Sequence, residues 1–374
     1  MAGVYIHIPF CKKACHYCNF HFSTSKGLQE SFITALLQEI DLRKDYVTEP
    51  VSTIYFGGGT PSILPSSEID AVLSQLSKTF TIEPGAEITL EANPDDITPE
   101  KLQEWKQIGI NRLSIGIQSF FEEDLAWMNR AHNAEQAQNC IHLAQDAGFF
   151  NLTIDLIYGT PTLSDEHWKK NVDTAIALQI PHLSCYALTV EPATALDKLI
   201  RQKKLADIDT EKQARHFEQL MEWMKASGYD HYEISNFAKP GFKSKHNSSY
   251  WQAKQYIGLG PSAHSFNGRS RQWNIANNAL YIQSLAQGTI PAEEEVLSSE
   301  QQLNEYIMTS LRTMEGISLN KLLADFGKDK YDTVLKTAHS HLTSQHLALE
   351  NNFLKTTASG KLLADGIAAD LFIL

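Results

Sequence analysis

Hydrophobic and polar positions follow two rhythms along the first half of the chain. Short runs rich in β-branched and aromatic residues recur at Val4–Ile8, Thr53–Phe56, Glu87–Ala92, Arg112–Ile117, Leu152–Ile157 and His182–Leu188, the pattern of strands. Between them, apolar residues return every three or four positions over Leu28–Arg43, Ser67–Leu76, Pro99–Ile108, Ala134–Ala147 and Asp165–Leu178, the pattern of helices with one buried face. Alternation of this kind predicts an α/β fold with a parallel sheet and helices outside it. Right-handed crossovers curl about six such units into a partial (β/α)6 barrel, with ligands at the C-terminal ends of the strands.

Beyond Val190 the rhythm loosens. Glu211–Ser227 predicts an amphipathic helix stopped by Gly228, and His231–Ala238 a further strand. Ser318–Phe326 and Tyr331–His341 predict helices, Leu347–Thr357 a hairpin turning at Asn351-Asn352, and Gly360–Phe372 a last helix. That order suggests a winged-helix-like unit. The chain thus divides into a core over 1–235, an extension over 236–298 and a C-terminal domain over 299–374.

Composition narrows the partners. With 374 residues, 43% hydrophobic and 20% charged, the chain can build a large core and one extra small domain. The net charge of −12 leaves no basic excess to neutralise phosphates, so no nucleic-acid partner is expected and the winged-helix-like unit reads as a lid or partner surface. No apolar run of about 18 residues or signal peptide is read, and clustered thiols point to a reducing cytoplasm.

Those thiols form the segment Cys11-Lys-Lys-Ala-Cys15-His-Tyr-Cys18, directly after the first strand. A structural zinc site needs four ligands, usually from two separated pairs, and no second pair exists. A disulfide framework needs an even set and an oxidising compartment. A four-iron cluster on three thiolates remains, with one iron open to a small molecule. Cys140 and Cys185 sit in helical and strand patterns and read as small buried hydrophobes.

Later strand ends carry further polar motifs. Gly57-Gly58-Gly59-Thr60-Pro61 lets the backbone approach a ligand closely. Glu91, before Asn93-Pro94, can accept from two ribose hydroxyls, or is a helix N-terminal or solvated acid. Gln118 offers a donor and an acceptor. Arg130 can grip a carboxylate or lie on the surface. Asp155, inside an apolar run, is costly unless partnered. Downstream, His246-Asn247-Ser-Ser-Tyr250-Trp251 offers an imidazole for iron and flat rings for a macrocycle, or caps and packs the barrel mouth.

In order and spacing, these motifs resemble the radical SAM superfamily and, within it, the oxygen-independent coproporphyrinogen III oxidase group. The resemblance implies that Cys11, Cys15 and Cys18 hold a [4Fe-4S] cluster whose open iron binds S-adenosylmethionine (SAM). It implies that Tyr5, Gly58, Gly59, Thr60, Glu91, Gln118, Arg130, Asp155 and Thr189 contact SAM, that Tyr17 lies against the adenine, and that Ala263 and His264 lie close by. The oxidases carry a fourth cysteine two residues after the third, where this chain has Phe20, and a longer N-terminal extension. Both departures resemble the haem-chaperone HemW branch, in which His246, Asn247, Tyr250 and Trp251 fall on an element associated with haem. That implies a protein binding cluster, SAM and haem and handing haem to an acceptor haemoprotein, for instance a membrane-bound one. The rival readings are a coproporphyrinogen III decarboxylase and a winged-helix regulator sensing haem or redox state. No residue is assigned as catalytic.

Overall fold

The computed structural model describes residues 1–373, so the last residue of the expected C-terminal domain lies outside the described residues. Six strands, β1 (Ala2–Ile8), β2 (Val51–Gly58), β3 (Ile82–Ala92), β4 (Arg112–Gln118), β5 (Leu152–Tyr158) and β6 (His182–Ala187), lie side by side in chain order. All five pairings are parallel, giving the expected partial barrel. Helices Gln29–Leu42, Ser66–Thr79, Pro99–Gln107, Ala134–Asp146 and Asp165–Ala177 make the crossovers close to their expected bounds. Polar side chains fix their starts: Thr98 and Ser164 accept from backbone amides, and Asn133 with Gln136 closes a capping box.

The two faces of the barrel strands differ in chemistry. Val4, Ile6, Ile8, Ile54, Phe56, Leu90, Leu113, Ile115, Ile154, Leu156 and Leu183 join the main apolar core under the helices. The alternate positions carry polar groups that bond one another across the strands. Thr53 pairs with His246, Tyr55 with Glu91, Arg112 with Thr153, and Thr153 with His182. Because side chains alternate at a period of two, the barrel keeps an apolar outside and a polar, hydrogen-bonded inside. Asp155 falls on that inner face, which removes much of the cost expected of an acid in an apolar run.

The sheet continues past the barrel on both sides. The expected strand His231–Ala238 is instead a hairpin of β7 (Asp230–Glu233) and β8 (Asn236–Ala238). The Glu233 carboxylate turns the chain there, accepting from the Ser235 amide at 2.9 Å and from the Asn236 side chain. β8 pairs antiparallel with β6. On the far side β9 (Tyr256–Leu259) lies parallel to β1, followed by antiparallel β10 (His264–Phe266), β11 (Ser270–Asn274) and β12 (Ala292–Val296). The segment His246–Trp251 belongs to a short helix, Lys245–Trp251, capped by Ser244.

The C-terminal unit has its own core around Leu303, Ile307, Leu322, Val334, Leu354 and Ile367. Helix Ser299–Leu311, which the sequence pattern left unassigned, precedes helices Leu319–Phe326 and Lys328–Thr343. β13 (Ile317–Ser318), β14 (Leu347–Glu350) and β15 (Phe353–Thr356) form a small antiparallel sheet. Asn351 and Asn352 turn its hairpin at φ of 48° and 67°, as the sequence predicts. The expected helix Gly360–Phe372 is broken into Ala358–Lys361 and Ala364–Asp370. Gly360 is pressed so closely on His346 that a Cβ would lie 1.9 Å from its carbonyl oxygen. Among the described residues no helix is long and apolar enough to cross a membrane.

Candidate functional site

The loop that leaves β1 is tied down at several points before any ligand is considered. The Cys11 amide donates to Ser23 O at 3.0 Å, and the Cys18 amide to Cys15 O at 3.3 Å. The segment after helix Glu122–Trp127 braces it from the side. Asn129 Nδ2 donates to Ala14 O at 2.7 Å, and the His16 amide to Met128 O at 3.2 Å. Lys12 reaches Asp95 and Asp96 in the loop after β3. The local sequence alone would leave this loop free; tertiary contacts hold it.

Cys11, Cys15 and Cys18 line one cavity of about 420 Å3 at the C-terminal ends of the barrel strands. Tyr17, Gly58, Gly59, Thr60, Glu91, Gln118, Arg130, Asp155 and Thr189 line the same cavity. So do Asn93, Ser114 and Tyr186, to which sequence reasoning gave no role. Asn93 was legible in principle, since it shares a motif with Glu91. Its side chain bridges two neighbours, accepting from Arg130 Nη2 at 2.8 Å and donating to Thr60 Oγ1 at 3.3 Å.

Two polar groups address the sulfurs. Thr60 Oγ1 lies 3.5 Å from Cys11 Sγ and Arg130 Nη1 3.3 Å from Cys15 Sγ. Arg130 crosses beneath Gly116, whose carbonyl accepts from Nη2 at 2.8 Å. A Cβ at Gly116 would stand 3.1 Å from that nitrogen. Arg130 is therefore a half-buried strut of the site and not a surface arginine. Burial pushes the Cys11 thiol up to about 11, and it raises Cys18 as well. Such thiols stay protonated until a metal displaces the proton. Among the described residues no three His, Cys, Asp or Glu side chains stand close enough to hold a single metal ion. A cluster suits this donor set, because each thiolate takes a different iron.

Glu91 sits at the cavity floor. The Tyr55 hydroxyl donates to its Oε1 at 2.8 Å and the Gly58 amide to its Oε2 at 3.2 Å. Burial raises its carboxyl to about 7, helped by Asp155 and opposed by those two donors. Burial likewise raises Asp155 to about 6 against the pull of Ser184, Arg112 and Arg130. Gly58 has φ of +105°, a backbone state open to glycine at little cost. Gln118 holds φ of +66° at an irregular register of β4, the kind of strain that clusters at functional sites.

A second cavity of about 1000 Å3 adjoins the first, with Asn19 and Phe20 lining both. Its walls come from β1, β10, β11, the helix Lys245–Trp251 and the C-terminal unit. Tyr5, Tyr250, Trp251, Tyr256, Phe266 and Tyr306 make it strongly aromatic. Three sequence assignments change here. Tyr5 and His264 line this larger cavity instead of the one holding the cysteines, and Ala263 is buried at 1% exposure and lines neither. The reason is strand parity: Ala263 ends a tight turn into β10 and its neighbour His264 faces the opposite way.

The His246 element divides as well. Tyr250 and Trp251 line the larger cavity, whereas His246 is buried beneath it. Its Nδ1 pairs with Thr53 Oγ1 and its Nε2 with the Tyr250 hydroxyl, each at 2.8 Å, and its ring stacks on Tyr55 at 4.9 Å. Burial lowers this imidazole to about 3. Asn247 is half-buried and lines neither cavity. In this structure both ring nitrogens of His246 are engaged, and Asn247 stands outside both cavities.

Comparison with known proteins agrees with the architecture. A family model for the radical SAM superfamily matches residues 5–175. Heme chaperone HemW of Bacillus subtilis is 35% identical over 335 residues, covering 88% of each chain. Heme chaperone HemW of Mycobacterium tuberculosis is 34% identical over 375 residues, 99% of this chain and 94% of that one. The solved structure of coproporphyrinogen III oxidase (HemN) from Escherichia coli superposes with a TM-score of 0.86 over 99% of this chain and 90% of that one. At 23% identity that likeness shows the fold alone.

Proposed function

The chain belongs to the HemW family of the radical SAM superfamily, and on that premise we propose that it is a haem chaperone of the reducing cytoplasm. The observation that carries this reading is the pairing of two adjoining cavities. One gathers three thiols with the polar strand ends, and the other is larger and walled by aromatic rings.

In the first cavity Cys11, Cys15 and Cys18 would hold a [4Fe-4S] cluster. Gly58, Gly59, Thr60, Glu91, Gln118, Arg130, Asp155 and Thr189 would hold SAM beside it. When bound, that pair supplies one-electron chemistry at a sulfonium centre, which the protein positions and shields. The Arg130 guanidinium steadies the Cys15 sulfur, and ionised Glu91 accepts from ligand hydroxyls. Tyr17 packs with Met128, Ile157 and Leu188 and offers a flat wall.

In the second cavity Tyr250, Trp251, Tyr256 and Tyr306 give the flat apolar contact a macrocycle needs. Its volume is at the upper end of ligand pockets, about 1,000 Å3. Arg271 and Lys321 are cations on its wall, now facing Glu305 and Asp325. They suit the carboxylates at a haem edge. Delivery to an acceptor haemoprotein is the task this arrangement serves.

Phe20 stands where the two cavities meet and cannot supply a thiol. Anaerobic incubation with SAM, reductant and coproporphyrinogen III, followed by product analysis, should leave the substrate unconverted. A parallel titration with haem should shift its absorption band. Decarboxylation through many turnovers would replace the chaperone reading by the oxidase one.

A further inference from the structure

A third cavity, of about 440 Å3, lies on the seam between the barrel and the C-terminal unit. Tyr158 reaches it from the end of β5, Phe217 from helix Thr210–Ala226, and Lys361 and Leu362 from the C-terminal unit. Arg312 and Asp365 are its other charged lining residues. We infer that Lys361 is a nucleophilic amine, and that this cavity takes a small acyl phosphate as its acyl donor. Neither the cluster nor haem enters this inference.

A lysine taken out of water usually meets a carboxylate. Lys361 is half-buried and meets an imidazole: its Nζ donates to His231 Nδ1, on β7, at 2.8 Å. The other ring nitrogen of His231 donates to Ile234 O at 3.1 Å, which leaves Nδ1 as the acceptor. Burial lowers that imidazole to about 3, so it stays neutral. A neutral acceptor fixes the amine in place without supplying the charge that would favour ammonium. Glu233, also on β7, does favour ammonium, but its carboxylate is engaged by the Ser235 amide and the Asn236 side chain. Burial prevails and lowers Lys361 to about 8, where about half the population is free amine.

The walls suit the donor. Tyr158, Phe217 and Leu362 give an acyl chain apolar contact. Arg312 Nη1 pairs with Asp365 at 2.7 Å, while its Nε is buried and has no hydrogen-bond partner among the described residues. A guanidinium with a free N–H suits phosphate oxygens. In the step, Nζ attacks the acyl carbonyl carbon. The N–C bond forms, the C–O bond to phosphate breaks with its electron pair leaving on phosphate, and the amine's proton passes to water. Nothing is oxidised or reduced, and the product is a neutral amide at the seam.

The test incubates the full-length, reconstituted protein with acetyl phosphate between about pH 6 and 10 and quantifies acetylated peptides by mass spectrometry. At pH 8 a lysine at about 8 holds about 150-fold more free amine than an ordinary one at 10.5. The lower nucleophilicity of a weaker base takes back part of this, so Lys361 should lead exposed Lys204 by about 10-fold. Its rate should level off above about pH 8 while that of Lys204 keeps rising. In urea the lead should vanish, because the burial does. His231→Glu supplies the missing carboxylate and should move the midpoint up towards 10.5, with thermal melting checking the fold. Arg312→Gln should slow acetylation by acetyl phosphate and leave that by the uncharged N-hydroxysuccinimide ester unchanged. The inference is overturned if Lys361 reacts no faster than Lys204 at pH 8, if its rate climbs to pH 10, if the lead survives in urea, or if folded His231→Glu keeps the wild-type profile. An Arg312→Gln protein acetylated by acetyl phosphate at the wild-type rate would overturn the choice of donor.

Discussion

Glu91 carries an unusual load for a carboxylate, and its replacement by glutamine separates stability from ligand binding. Its carboxyl stands at about 7 instead of the ordinary 4.5 because it is buried beside Asp155. At about 1.4 kcal/mol per pH unit, the ionised form costs the fold about 3 kcal/mol. Between pH 4.5 and 7 the folded chain binds more protons here than the unfolded chain does. Stability therefore falls as pH rises through that window and levels off above it. Glu91→Gln removes the charge but can accept only with its single oxygen. It leaves either Tyr55 or the Gly58 amide facing an NH2 group, at a cost of about 1 kcal/mol. The variant should be more stable than wild type by about 1–2 kcal/mol at pH 8 and equal or slightly weaker at pH 5, a swing of about 2–3 kcal/mol. Urea unfolding of the reduced, chelator-treated protein at both pH values measures this. The same variant should bind SAM about 10- to 150-fold more weakly, the loss of one charged hydrogen bond of about 1.5–3 kcal/mol. An identical stability difference at both pH values, or a variant destabilised at pH 8, would refute the reasoning about the buried charge. Unchanged SAM affinity by calorimetry would refute the binding role.

Two further predictions concern the two cavities. Anaerobic reconstitution should load about four irons per chain; Cys15→Ala should abolish this while Cys140→Ala and Cys185→Ala, both buried away from the cavity, retain it, and intact iron content in Cys15→Ala would sink the cluster assignment. Trp251→Ala removes a large ring from the aromatic wall and should weaken haem binding by about 1.5–3 kcal/mol, roughly 10- to 150-fold, without loss of iron from the cluster; equal haem affinity in absorption titrations would show that the wall makes no contact.

The sequence by itself determined most of what is local in the chain, helix Ser299–Leu311 and the break within 360–372 excepted. The cysteine spacing lies within eight residues, Cys11 to Cys18. The alternation of strand and helix has a fixed period, and the Asn351-Asn352 turn has its own backbone preference, so each was legible without knowing a neighbour. Strand ends in a parallel barrel converge on one rim, which is why residues as distant as Gly59, Glu91, Arg130 and Thr189 could be grouped and do line one cavity. Short elements with no periodic signal were not legible. β9 to β12 hold only three to five residues each and are strands because β1 offers an open edge. Only the tertiary structure decided which way a side chain faces when the choice depends on partners far away. His246 looks like a free ligand in sequence, yet Thr53 and Glu87, which it meets across the barrel, draw it inward. His264, one residue from buried Ala263, is turned outward by the parity of β10. The physical reason is the same in both cases: local sequence sets which groups are available, and burial and hydrogen-bond satisfaction, settled by long-range packing, set which remain free.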